Sequence, residues 1–129
     1  MMSNPFLKFL APQQEPGETE LVFVILPGSI DPEDRHSRFG QPLDAELRLA
    51  GIGYVSGGGT LLGEPDEDDQ CEVLYAGVDV DATDVEAARI LLRDQLPHLG
   101  CPANTKVQYN DRQDRYDGEC WFLDEPRDE

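Results

Sequence analysis

The order of apolar and polar positions divides the chain into short segments of contrasting period. Leu21-Val22-Phe23-Val24-Ile25-Leu26 is a continuous apolar, β-branched run closed by Pro27-Gly28. A run of that kind, ended by a turn signal, predicts a buried central strand. Residues 53–62 read as a second, glycine-rich strand, bent or bulged in its middle because Gly57-Gly58-Gly59 is costly in a regular strand. Residues 71–80 give a third. Its second half alternates, with Val78 and Val80 on one face and Asp79 and Asp81 on the other. Residues 105–109 (TKVQY) give a last strand. Residues 110–119 read as a loop or hairpin connection leading to Cys120-Trp121-Phe122-Leu123.

The helical period occupies the gaps. In residues 42–50, Leu43, Leu47 and Ala50 share a face, Pro42 suits the first turn and Gly51 stops the helix. The second helix is better signalled. Thr83 caps it, and Glu86 stands three residues later as a capping box requires. Val85, Ala88, Leu92, Leu96 and Leu99 follow helical spacing, and Ile90 and Leu91 widen the stripe. Arg89 and Arg93 fall mostly on the other side. Pro97 predicts a break near residue 95, and Gly100 closes the turn. In the polar segment 28–41, Asp31 caps a short helical turn with Pro32 at its first position.

The order is β-α-β-β-α-β. It predicts an α+β, ferredoxin-like fold: an antiparallel sheet with two helices on one face, and an extra C-terminal strand as an addition. Residues 1–20 read as a loose N-terminal arm, 21–123 as a single α+β domain and 124–129 as a frayed acidic tail. At 129 residues the chain buries roughly two-thirds of its unfolded surface, enough for one core without a disulfide or metal.

Charge changes the picture more than length does. There are 27 Asp and Glu against 10 Lys and Arg, a formal charge of −17. Such a field repels nucleic-acid phosphates and anionic headgroups and attracts basic proteins. The expected partner is a protein, with no nucleic acid and no membrane. The N-terminus lacks the long apolar core of a signal peptide, and no stretch approaches a membrane span. The cysteines, Cys71, Cys101 and Cys120, are odd in number and form no C-x-x-C pair. They suit inert thiols in a reducing compartment, so the expected location is cytoplasmic.

Catalytic motifs are weak. Gly51-Ile52-Gly53 to Gly57 approaches a dinucleotide loop, but a helix precedes it and a strand follows, the reverse of what phosphate binding needs. The acidic turn lacks the calcium-loop spacing. No catalytic residue, metal site or cofactor is predicted. The candidate partner-binding residues are Asp31, Glu33, Asp34 and Arg35 in one loop, Glu64, Asp66, Glu67, Asp68 and Asp69 in the acidic turn, and Trp121 as an aromatic anchor. Asp79, Asp81 and Asp84 are read as charges complementing a helix N-terminus.

Residues 48–60 (RLAGIGYVSGGGT), followed by a strand ending Gly77-Val78-Asp79-Val80-Asp81 and a capped helix, resemble small acidic bacterial immunity proteins of ferredoxin-like fold. These are encoded beside contact-dependent or secreted polymorphic toxins, and the likeness spans residues 43–110. It implies a cytoplasmic inhibitor that masks a cognate, basic toxin. Two other readings stand beside it: a small enzyme or ligand-binding domain using His36, Arg35 and Arg38 of the 31–38 loop, and a non-catalytic structural or regulatory acidic protein.

Overall fold

A computed structural model of the chain describes residues 19–28 and 30–127, with the backbone alone at 72 and 73. The predicted loose arm lies outside the described residues except for its last two. The elements are β1 (Glu20–Pro27), α1 (Pro32–Asp34), a π-helical turn (Arg35–Gly40), α2 (Gln41–Ala50), β2 (Gly53–Pro65), β3 (Cys71–Ala82), α3 (Val85–His98), β4 (Lys106–Tyr109), β5 (Arg112–Tyr116) and β6 (Trp121–Pro126). The six described strands form one sheet in the order β2-β3-β1-β4-β5-β6, every neighbouring pair antiparallel.

Alternation decides which face is core. Val22, Val24 and Leu26 of β1 are fully buried, as are Ala76 and Val80 of β3 and Val107 of β4. Phe39, Leu43 and Leu47 from the first helical stretch and Ala88, Leu92 and Leu96 from α3 cover that face. Among the described residues no helix packs on the opposite face, which carries Phe23, Ile25, Tyr75, Gly77 and Asp79. No described helix is long and apolar enough to cross a membrane.

Several local expectations change. The first helix does not start at Pro42. Asp31 Oδ1 accepts the Asp34 N–H at 2.8 Å, as its sequence position predicts, but the helix then runs from Pro32 to Ala50. Pro42 has no N–H for an i−4 bond, and the chain accommodates it with a π turn in which the Gln41 N–H reaches His36 O. That turn buries Phe39 completely, whereas Ala50 is exposed. Asp84, not Thr83, caps α3, accepting the Ala87 N–H at 3.1 Å, while the Thr83 N–H is held by Ile52 O at 2.9 Å. α3 continues through Pro97 to His98, and Ile90 lies exposed outside the stripe.

The sheet is also larger than predicted. Residues 112–116, placed in a loop or hairpin connection, form β5, joined to β4 by a tight turn with Asn110 at φ 52°. The expected frayed tail pairs with β5 as far as Pro126, and Asp128 and Glu129 lie outside the described residues.

Candidate functional site

β3 pairs with β1 only as far as Tyr75 opposite Pro27. The Gly28 N–H still reaches Leu74 O at 3.2 Å, and beyond that point residues 71–73 and 62–65 pair with each other alone. They make a two-stranded arm that projects past the end of the sheet. Gly53 to Ala82, which contains the arm and both its strands, holds eight Asp or Glu residues and no Lys, Arg or His.

The turn at the arm's tip is built by one of its own carboxylates. Asp66 Oδ1 accepts the N–H groups of Asp68 and Gln70, both at 2.9 Å, and Asp69 takes a left-handed φ of 60° to close it. Glu64, Glu67, Asp68 and Asp69 are exposed, and none of their side chains has an ion-pair partner among the described residues. At the arm's base Leu61, Leu62 and Leu74 are 44–52 % exposed. The arm thus sets exposed apolar side chains beside a row of unpaired carboxylates.

The loop carrying Asp31, Glu33, Asp34 and Arg35 follows β1 and so lies at the same end of the sheet as the arm. Arg35 Nη1 donates to Thr60 Oγ1 at 3.3 Å, tying that loop to β2 four residues before Glu64. Asp31 is occupied as a cap; Glu33 and Asp34 are exposed. Two of the three predicted groups therefore come together. Trp121 does not join them. It lies on β6 toward the opposite edge of the sheet, half-buried against Tyr116 with ring centroids 5.1 Å apart, and its Nε1 donates to Arg93 O at 3.1 Å.

The 31–38 loop also borders a cavity of about 290 Å³, lined by Arg35, His36 and Ser56 among others. Arg38 turns away from it and donates to the carbonyls of Leu99 and Gly100, both at 3.1 Å, at the C-terminus of α3. His36 Nε2 meets Gln41 Nε2 at 3.2 Å. The three residues of the enzyme or ligand-binding reading are thus divided, Arg35 and His36 at the cavity and Arg38 away from it. No group of three His, Cys, Asp or Glu side chains among the described residues converges closely enough to hold a metal. Asp84 alone of its cluster serves the helix; Asp79 and Asp81 sit on the open face of β3. Cys71 and Cys120 are exposed, whereas Cys101 is buried and burial raises its thiol.

The strongest polar constellation was not legible in the sequence. Asp114 is fully buried and accepts five hydrogen bonds: two from Arg89 (2.9 Å each), and one each from Arg93 (2.8 Å), Tyr109 Oη (2.9 Å) and the Asp124 N–H (2.9 Å). Burial pushes its carboxyl up, but the Arg89, Asp124, Arg93 and Tyr109 donors outweigh that and hold it below the usual carboxylate range. The Tyr109 hydroxyl is pushed well above its ordinary value by burial and by donating to Asp114. None of these five residues lines the cavities beside Pro27, His36 or Phe23, and the cluster reads as a lock joining α3, β4, β5 and β6. Its one sequence signal is Arg89 and Arg93 at i, i+4 beside the apolar stripe of α3.

Scanned against protein-family models, curated proteins and solved structures, the chain matches none.

Proposed function

We propose that this chain is an acidic protein-binding module, an immunity-type inhibitor that masks a cognate basic toxin by direct contact. The observation that carries the reading is the projecting β2–β3 arm, with uncompensated carboxylates at its tip and exposed leucines at its base. A cation-free stretch of this kind creates a one-signed field, which steers a basic partner toward it. Steered pairs associate at about 10⁸–10⁹ M⁻¹s⁻¹ at low salt. Asp31, Glu33 and Asp34 extend the same negative surface around the end of the sheet.

The strand order β4-β1-β3-β2, with α2 and α3 on one face, supports a ferredoxin-like core to which β5 and β6 are added as a C-terminal extension. Two exposed thiols that make no disulfide fit a reducing compartment, hence a cytoplasmic inhibitor. The test is affinity capture at low salt on the immobilised chain, beginning with the product of the adjoining gene. Retention of a basic protein that is released as salt rises is the expected result. Capture of no basic protein at low salt sinks the reading.

A further inference from the structure

We propose that the outer edge of β2, residues 57–61, is a docking strip on which an extended, Lys- or Arg-bearing segment of the partner adds as a further strand. The inference rests on the protein-binding reading above and specifies how the partner is held.

β2 is the edge of the sheet, and no described strand lies on its outer side. The Val55 N–H points outward, because it donates to Asp44 Oδ1 at 2.8 Å rather than to β3. α2 therefore closes the edge at that point, with Arg48 lying 5.3 Å from the Tyr54 ring centroid. Val80 and Val78 are two apart on β3 and share a hydrogen-bonding side, so their partners Val55 and Gly58 do too. Thr60, opposite Ala76, follows. Gly58 and Thr60 thus aim their backbone groups away from the sheet. The register is irregular between Val55 and Gly57 and again between Leu61 and Leu62, and it is regular between those points.

This stretch lacks the Lys and Pro residues that usually guard a strand edge: β2 contains no Lys, and its one Pro is Pro65 at its end. Its glycines are informative. A Cβ at Gly59 would meet nothing within 4 Å, and at Gly57 only Asp79 Oδ2 at 3.7 Å. Neither residue has a positive φ. The fold does not require glycine at these two positions, whereas close approach by another backbone does favour it. Strand addition uses main-chain hydrogen bonds for affinity and side chains for specificity. Here the strip leads directly to Glu64 and the 66–69 tip, so a cationic segment is the complementary occupant. A second copy of this chain carries the same negative charge and the same acidic arm, and repulsion disfavours it.

The probe is an acetylated, amidated Lys-Val repeat peptide, compared with the same peptide methylated at every backbone nitrogen. The second keeps the charge and side chains but has no N–H to donate. Binding is followed by amide resonances and hydrogen exchange of the protein at low salt. The expected result is slowed exchange at Gly58 and Thr60, with Val55 unchanged, and affinity at least about tenfold weaker for the methylated peptide. Equal binding of both peptides overturns strand addition and leaves the acidic-interface reading intact. Absence of any shift at residues 57–61 at about millimolar peptide also overturns it. So does a dimer of the free protein that already protects these amides. Failure of the protein-binding reading itself shows separately, as no basic protein captured at low salt.

Discussion

Pro97 withholds an N–H from the carbonyl of Arg93, and Trp121 supplies one. In a regular helix the residue four positions on donates to each carbonyl, and Pro97 has nothing to donate. The Trp121 indole Nε1 donates to that oxygen at 3.1 Å, from a strand 28 residues along the chain. The last turn of α3 therefore survives its proline because β6 docks against it.

The pairing predicts coupled energetics. Trp121→Phe removes the donor and leaves the carbonyl short of a partner, at a cost of about 1–3 kcal/mol. Pro97→Ala restores a helical N–H. In that background Trp121→Phe should cost less by about 1 kcal/mol, read from a double-mutant cycle of urea unfolding. Additive effects would mean that the two residues are independent.

The Asp114 cluster predicts where acid acts. Asp114→Asn leaves Arg89 and Arg93 buried against an uncharged partner, and should cost about 3–5 kcal/mol in chemical unfolding. Because the folded-state pKa of Asp114 lies below its ordinary value, the group binds protons more readily when unfolded. Its stabilisation is fully present above a pH of about 4 and is lost as pH falls through the lower, folded value. Wild-type stability should therefore drop steeply below pH of about 4, and Asp114→Asn should flatten that part of the profile. An unchanged acid limb in the variant would remove Asp114 from the explanation.

Adjacent glycines on β2 should respond oppositely to the same change. A Cβ at Gly58 would stand 2.5 Å from Gly77 O and 3.4 Å from Arg35 Nε, so Gly58→Ala should destabilise by about 1–3 kcal/mol. Gly59→Ala meets open space and should be neutral or stabilising by up to about 1 kcal/mol, through the lower entropy of the unfolded chain. Thermal unfolding of the two variants decides it.

The exposed carboxylates of the arm should be dispensable to the fold. Glu64→Lys, Glu67→Lys, Asp68→Lys and Asp69→Lys together break no described ion pair and reduce local repulsion. The combined variant should keep its melting temperature or gain slightly. Asp66→Ala should instead loosen the turn, with faster exchange at the Asp68 and Gln70 amides, whose acceptor it removes.

How much of this was legible follows from where each stabilising partner lies. β1, the β2–β3 hairpin with its bulge and the α3 stripe announce themselves by runs and periods, because their partners are apolar and interchangeable. The Asp31 cap was also readable, since donor and acceptor are three residues apart. β5 was not, because RQDRY buries Gln113 and Asp114, and three of the five hydrogen bonds that make the burial of Asp114 tolerable come from α3, 21 and 25 residues away. Phe39 escaped because one aromatic in a polar run has no period, and the π turn that buries it is a response to Pro42. At the surface, the charge and the two acidic segments were legible, but not that they share one end of the sheet. The separation of Trp121 from them depends on a six-strand order that local pattern does not contain.

The acidic arm is the proposed interface. Its most direct test is the association rate of the captured basic protein, measured across ionic strength for the wild type and the four-lysine arm variant. The wild-type rate should fall by at least about tenfold as salt rises, and the variant should be slow already at low salt with little further dependence. A variant that keeps both the wild-type rate and its salt dependence would contradict the account.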